Sequence, residues 1–219
     1  MRLGKTMKDT SENWWTDIAP QKGKVAPVYS GPGFGLLADT PVATPDGWVA
    51  VGELDAGDEV LTFDAGFQPL SAMVREDRVR AGTRWPETLR PVLVPAGALE
   101  NREEVLMLPH QGILLEVEEV ADRLGDPYAV IPAAALACIP GVERVSPQGA
   151  AEIVLPVFAE DHMVFAAGGM LTFCQAHWGT RAGLMPRFGA PTNYNMLPVN
   201  AARALVEVLL TEFEGEAIA

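Results

Sequence analysis

Short apolar runs that alternate with polar positions, separated by turn residues, dominate the chain from residue 36 onward. TPVATPDGWVAV holds two such runs joined at Pro45-Asp46-Gly47, where proline presets φ and glycine accepts the left-handed exit of a turn. GELDAGDEVLTFDAGFQPL repeats this pattern, and later runs are broken by Pro or Gly about every 8 to 12 residues. The period of two predicts β-strands, and the spacing predicts an all-β sandwich or barrel rather than βαβ units.

The pattern becomes helical near the end of the chain. From Pro198 onward, PVNAARALVEVLLTEF repeats apolar residues at helical spacing, and Asn200 is the predicted N-cap. The predicted buried face consists of Ala204, Leu205, Val208, Leu209 and Phe213. We therefore divide the chain into an N-terminal tail (residues 1–30), a β domain (31–197), and a C-terminal helix and tail packed on that domain (198–219).

The N-terminal tail has one sizeable apolar feature, the pair Trp14-Trp15. These indoles either dock on the β domain or form an exposed anchor for a partner. The tail lacks the apolar core of a signal peptide, and no window reaches the roughly 18 apolar residues of a membrane helix. The sequence predicts no membrane association and a cytoplasmic location, or export without an N-terminal signal peptide.

Composition restricts the classes of partner. The chain is acidic, with 16 Lys and Arg against 29 Asp and Glu and a net charge of -13, which opposes binding to nucleic acid or anionic lipid. Hydrophobic residues make up 48% of the chain, enough for a buried core. The two cysteines, Cys138 and Cys174, are too few for a disulfide framework and fit a reducing compartment.

Candidate metal ligands are few. Cys174 and His177 have ligand-like spacing, and His162 could supply a third donor. Zinc usually takes four such ligands, or three and a water, so a half-buried cysteine and a surface histidine are the preferred interpretation. GPGFG precedes a β pattern rather than opening a helix, which argues against a phosphate-binding loop. We predict no metal site and no cofactor.

Several sequence blocks, taken in order, resemble the Hint (Hedgehog/intein) domain family. GLLADTPVATPDGWVAVGELDAGDEVLTFDAGF resembles the start of such domains. RPVLVPAGALENREEVLMLPHQGILLE and VLPVFAEDHMVFAAGG resemble later blocks of the bacterial Hint variety. The resemblance covers roughly residues 34 to 213. It implies a twisted all-β horseshoe, built from two pseudo-symmetric halves and closed by a short C-terminal helix.

The resemblance also implies a self-processing reaction, several groups of which are replaced here. In active members a Cys or Ser attacks its own preceding carbonyl, and a His protonates the departing nitrogen. Gly35 occupies the nucleophile position, and Gln111 occupies the His position, with His110 one place early. At the end of the domain, Phe173 stands near the place of the cyclising Asn, and Cys174 falls on the nucleophile position beyond it.

Four residues remain as catalytic candidates: His162, Asp161, His110 and Cys174. His162 falls where the later block carries a His, beside Asp161, where it either tunes a proton transfer or fixes a strand through a hydrogen bond. On a strand, His110 would point to the face opposite Gln111.

Two hypotheses follow for the function. The first is a pseudoenzyme that does not self-splice and acts as a binding, scaffold or maturation module for an unidentified protein partner. The second is autocatalytic self-cleavage by an N-to-S or N-to-O acyl shift through a non-standard nucleophile such as Cys174. If the geometry of the site is retained, the double change Gly35→Cys with Gln111→His is expected to restore N-terminal cleavage.

Overall fold

The computed structural model describes residues 33–79, 85–99, 101–117, 127–146, 151–176, 194 and 196–216. The tail with Trp14-Trp15 lies outside these described residues, as does His177. No helix in the described residues is long and apolar enough to cross a membrane.

The described residues form β-strands, short 3-10 helices and a C-terminal α-helix. The strands are β1 (Leu36–Leu37), β2 (Pro41–Thr44), β3 (Gly47–Ala50), β4 (Glu59–Thr62), β5 (Gly66–Pro69), β6 (Ala72–Val79), β7 (Val92–Val94), β8 (Val105–Met107), β9 (Gly112–Glu116), β10 (Tyr128–Pro132), β11 (Glu143–Arg144), β12 (Ala151–Val157), β13 (His162–Ala166) and β14 (Met170–Cys174). The helices are 3-10 segments at Val51–Glu53, Glu87–Leu89, Ala133–Cys138 and Ala167–Gly169, and helix α1 at Val199–Glu216. The predicted all-β body with a C-terminal helix is confirmed.

The strands pair into three sheets. The largest has the order β10-β9-β14-β13-β2-β3, with β4 also pairing with β13 and β5 with β4. Two three-stranded sheets have the orders β1-β12-β6 and β11-β7-β8. The pairings between these strands are antiparallel, both in hairpins such as β2–β3 and between strands far apart in sequence such as β1 and β12.

Local turn chemistry forms the predicted β2–β3 hairpin. The hydroxyl of Thr44 donates to the carbonyl of Gly47 at 2.8 Å and accepts from the N–H of Asp46 at 3.3 Å. Gly47 has a φ of 110°, which a residue with a side chain adopts only with strain. The turn residues therefore determine where this hairpin reverses.

The large sheet has two faces of different character. Val42, Val164 and Ala166 belong to the main hydrophobic core, on what we term the core face. Because side chains alternate along a strand, Met163 and Phe173 lie on the opposite side, which we term the outer face, in a second buried cluster. The candidate site lies at the edge of this second cluster.

Helix α1 begins two residues earlier than an N-cap at Asn200 predicts. Val199 is its first residue, and the carbonyl of Pro198 accepts the N–H of Ala202 at 2.9 Å. Asn200 is therefore inside the first turn, and its prediction as the N-cap was wrong.

The buried face of α1 is also rotated from the predicted one. Leu205 is buried and Leu209 packs against the core, as predicted, but the other buried residues are Ala201, Ala202 and Val206, and Val208 is exposed. The side chain of Phe213 lies outside the described residues. The helix packs on the 3-10 helix Ala133–Cys138 and on β10. The first half of α1 carries small apolar residues on several of its sides. Periodicity alone therefore did not determine which side of the helix faces the core.

A glycine allows β9 to lie close to β14. A Cβ on Gly112 would fall 2.9 Å from the Cβ of Phe173 and 3.1 Å from Cγ1 of Val130. This approach places the residue before it, Gln111, against the end of β14.

We predict that Gly112→Ala destabilises the fold. The added methyl group forces β9 away from β14, and overpacking of this kind lowers the free energy of unfolding by about 1–3 kcal/mol. Urea titration followed by circular dichroism measures the change. An unchanged unfolding midpoint would contradict the close approach of these strands.

Candidate functional site

The candidate site forms where three distant segments meet at the side chain of Gln111. The N–H of Gly35 donates to Gln111 Oε1 at 3.1 Å, across 76 residues of sequence. Gln111 Nε2 donates to the carbonyl of Phe173 at 2.8 Å and to that of Gly112 at 3.2 Å. Gln111 therefore joins the two chain segments that carry the positions implied for self-processing.

The orientation of the Gln111 amide follows from its neighbours. The carbonyls of Phe173 and Gly112 accept hydrogen bonds, so they require the NH₂ group. The N–H of Gly35 donates, so it requires the oxygen. The side chain is 1% exposed, and loss of any of these bonds would leave a buried polar group without its partner.

This arrangement is opposite to the one that peptide-bond cleavage needs. A departing amide nitrogen must receive a proton from a general acid. Gln111 presents an acceptor to the nitrogen of Gly35, and an amide has no titration in the useful range. Gln111 therefore offers the nitrogen of Gly35 a hydrogen-bond acceptor and no titrating proton donor.

Gly35 leaves no room for a nucleophilic side chain. Its φ is 117°, in the region that favours glycine. A Cβ at this position would lie 2.9 Å from Cγ2 of Ile153 and 3.1 Å from the carbonyl oxygen of Val154. The side chain introduced by the Gly35→Cys change, from which cleavage was expected if the geometry is retained, would have to displace these atoms.

Apolar rings close the site from the outer face. Phe34 packs edge-on against Phe173 with centroids 6.4 Å apart, and Phe173 packs against Tyr194 at 6.1 Å. A cavity beside Gly35 and Gln111 has a volume of about 10 Å³. That is room for about one water molecule.

His110 lies in a turn before β9 and is exposed, whereas Gln111 is buried. The N–H of His110 donates to the carbonyl of Gly33 at 2.7 Å, and the N–H of Gln111 donates back to Leu108 at 3.0 Å. The expectation that His110 lies on a strand was wrong because the strand begins only at Gly112. The two side chains nevertheless have different environments, as expected.

Cys174 is buried, so its predicted half-buried position was wrong. Burial, together with the smaller effect of the Asp161 charge, raises the pKa of the Cys174 thiol to about 12. Cys174 stands opposite His162 in the β13–β14 register. A nucleophilic cysteine acts as a thiolate, which this environment disfavours.

Asp161 fixes the chain after β14. Its Oδ1 accepts the N–H of Ala176 at 2.7 Å. Burial raises the pKa of the Asp161 carboxyl, while the hydrogen bond from Ala176 opposes that shift. The residue thus has a structural partner at the end of the sheet.

His162 pairs with Asp64, which lies in the turn between β4 and β5 and was not among the candidate residues predicted from the sequence. His162 Nδ1 lies 3.0 and 3.1 Å from the two carboxylate oxygens of Asp64, so that nitrogen carries the proton. The ring of Phe158 packs edge-on against the imidazole at 5.3 Å. Asp64 and His162 are 98 residues apart, and only the strand register brings them together.

The structure thus separates the sequence candidates into different environments. Gly35, Gln111 and Phe173 meet directly, His162 and Cys174 are cross-strand neighbours, and His110 remains at the surface. Among the described residues there is no group of three or more His, Cys, Asp or Glu side chains that could hold a metal ion.

We predict a pH-dependent loss of stability for Gln111→Glu. Near pH 4 a protonated Glu can still donate to Phe173 and accept from Gly35. Because burial raises the pKa of this carboxyl in the folded state, the unfolded chain releases its proton first, above about pH 4.3. The variant's free energy of unfolding, relative to the wild type, should therefore fall as pH rises from 4 to 8.

Urea unfolding at several pH values measures this difference. Gln68→Glu is the control, because the Gln68 amide donates to Ala65 at an exposed position. A Gln111→Glu deficit that is the same at pH 4 and pH 8 would contradict the buried bridge.

We predict that Asp64→Ala costs about 1–3 kcal/mol of stability, because it leaves His162 Nδ1–H buried without its acceptor. Asp46→Ala is the matched control, since Asp46 is an exposed turn aspartate of the β2–β3 hairpin, and it should cost less than about 0.5 kcal/mol. Thermal unfolding of both variants tests the difference; equal costs would show that the pair contributes nothing.

Comparison with known proteins identifies the family. The family model described as the Hint domain matches residues 34–173. Comparison with proteins of curated function gives no match. The family assignment therefore depends on the family model, which covers the strands that build the site.

Solved structures that resemble this chain are inteins of low sequence identity. The Msm DnaB1 intein splicing domain bound with zinc is 18% identical, with 64% of this chain and 99% of that chain covered and a TM-score of 0.38. The MchDnaB-1 intein is 18% identical, with coverages of 64% and 99% and a TM-score of 0.34. The gp41-1 intein is 16% identical, with coverages of 67% and 100% and a TM-score of 0.33.

The family match runs from Phe34, beside the glycine at the nucleophile position, to Phe173, whose carbonyl Gln111 binds. The predicted β horseshoe with its C-terminal helix is confirmed as the fold class. The chain belongs to the Hint domain family.

Proposed function

We propose that this Hint domain neither splices nor cleaves itself and acts as a stable binding, scaffold or maturation module. The observation that carries the proposal is the buried Gln111 amide, which accepts from Gly35 and donates to Phe173. It occupies the position from which a His would protonate the departing nitrogen in the family's reaction.

Three changes act against successive steps of that reaction. Gly35 has no nucleophile and no space for one. Gln111 supplies an acceptor where a proton donor is needed. Phe173 stands in place of an Asn able to cyclise. Because each step requires its own group, restoring one of them leaves the others blocked.

The same residues support a scaffold role. Gln111 connects Gly35, near the start of the domain, with Phe173, near the end of β14, and processing would separate the chain close to these two positions. Aromatic rings, including that of Phe34, cover the connection. The acidity of the chain, with a net charge of -13, favours a protein partner over nucleic acid. A stable connection of this kind suits a domain whose product is the uncleaved chain.

Self-cleavage through Cys174 is the alternative. Its position directly after Phe173 favours it, but its thiol is buried and has a pKa of about 12. At pH 7 the thiol form therefore predominates strongly over the thiolate. The alternative therefore requires the site to open before the reaction.

Intact mass measurement distinguishes the two functions. We expect the purified full-length chain to remain one species near 23.5 kDa over days, with or without added thiol, because the attacking and proton-donating groups are missing. Gly35→Cys with Gln111→His should also remain intact, because Val154 blocks the new side chain.

Cys174→Ala is the control for the alternative. A discrete fragment from the wild type that disappears in this variant would overturn the proposal in favour of Cys174. Thiol-dependent cleavage of the Gly35→Cys, Gln111→His double variant would instead show that the site still accepts a nucleophile.

A further inference from the structure

Exposed aromatic side chains lie on the large sheet beyond its buried outer-face cluster. Trp48 is 53% exposed, Phe63 42% and Phe67 44%. The ring of Phe63 packs edge-on against Tyr128 at 5.4 Å and lies 6.4 Å from Phe165. We refer to these five residues as the aromatic patch.

Strand register places the patch on the outer face. The N–H of Phe63 donates to the carbonyl of Met163 at 2.8 Å, which continues the pairing of β4 with β13. Phe67 stands opposite Leu61, which has the same side-chain direction as Phe63. Trp48 stands opposite Ala43, the neighbour of the core-facing Val42, and so points outward. A group of exposed aromatic rings on one face is typical of a docking surface.

The N-terminal segment enters the described structure beside this surface. Phe34 is buried in the outer-face cluster with Met163 and Phe173. Met163 precedes Phe165 of the patch by two residues on β13, so the two side chains share a face. Trp15 is 19 positions before Phe34. That length of extended chain spans up to about 60 Å, which is enough to reach every ring of the patch.

Charge complements this proximity. Residues 1–32 contain five Lys and Arg against three Asp and Glu, whereas the whole chain has a net charge of -13. Glu59 lies two residues before Leu61 on β4, and Glu116 stands opposite Tyr128, so both carboxylates border the patch on its own face. The basic segment would therefore meet an acidic border around an aromatic centre.

We propose that residues 1–32 dock on the aromatic patch through Trp14-Trp15, with their lysines beside Glu59 and Glu116. The inference depends on the proposed absence of self-cleavage, because cleavage before Gly35 would release the segment. An uncleaved chain holds the segment at an effective concentration in the millimolar range, which is sufficient for a shallow surface. The patch is thus an intramolecular docking site that a competing aromatic, basic peptide could also enter.

Oxidative labelling of the full-length protein tests this directly. Peptide mass spectrometry gives the rate at which each indole reacts. In Phe63→Ser with Phe67→Ser, we expect Trp14 and Trp15 to react about tenfold faster than in the wild type, which corresponds to about 1.4 kcal/mol of docking free energy. Val208→Ser is the matched control, since Val208 is an exposed aliphatic residue on α1, and it should leave both rates unchanged.

Other measurements on the same samples separate the outcomes. Trp85 is 6% exposed, so its slow labelling verifies that each variant is folded. Equal Trp14 and Trp15 rates in the folded wild type and double variant would overturn the docking. If Trp14 and Trp15 are protected only at protein concentrations at which sedimentation detects a dimer, the indoles contact a second copy of the chain, and intramolecular docking is overturned. Intact mass shows whether residues 1–32 are still attached to the domain. Release of this segment would contradict the proposed function. A segment that is attached but whose indoles are unprotected would contradict only the docking.

Discussion

The side-chain amide of Gln111 is the interaction on which the candidate site depends. It bonds to Gly35 at the start of β1, to Gly112 at the start of β9 and to Phe173 near the end of β14. These segments are far apart in sequence, and each bond is buried. Strand packing brings them within reach, and the close approach of β9 to β14 at Gly112 positions the amide. A buried amide with all its partners stabilises one arrangement of the three segments over any other.

The polarity of this bridge also determines what the site can do chemically. The backbone N–H of Gly35 donates a hydrogen bond to the side-chain oxygen of Gln111. A nitrogen that departs from a breaking peptide bond instead needs to receive a proton from a neighbouring acid. Gln and His differ here in function more than in size, because only His exchanges a proton near neutral pH. The other candidate residues lie in different environments. His110 is exposed, His162 donates to Asp64, and Cys174 lies in an environment that raises its pKa.

Features encoded by neighbouring residues were predictable from the sequence. The turn at Pro45-Asp46-Gly47 and the alternation of the strands are local properties, and the existence of the C-terminal helix follows from its periodicity. The positions of Gly35 and Gln111 in the site came from the family resemblance. Their hydrogen bond and the missing space at Gly35 required the backbone.

Long-range packing accounts for what the sequence did not reveal. The partnership of Asp64 with His162 depends on how β4 aligns with β13, and the burial of Cys174 depends on what covers β14. The face of α1 that is buried depends on the surface it meets, since apolar residues occur on several of its sides. None of these alignments follows from the residues of one element alone.

Gly35 is constrained by the sheet as well as by its own backbone angle. The next residue, Leu36, pairs with Val154 of β12, and Leu37 pairs with Ile153. The atoms that would clash with a Cβ on Gly35 belong to the same two β12 residues, so the β1–β12 pairing itself occupies the space for a nucleophile. To admit a reactive side chain, β1 would have to shift along or away from β12, which would also displace the Gly35 N–H from Gln111. The crowding at Gly35 and the amide bridge are therefore linked, because the register that crowds a side chain at Gly35 also positions its N–H for Gln111.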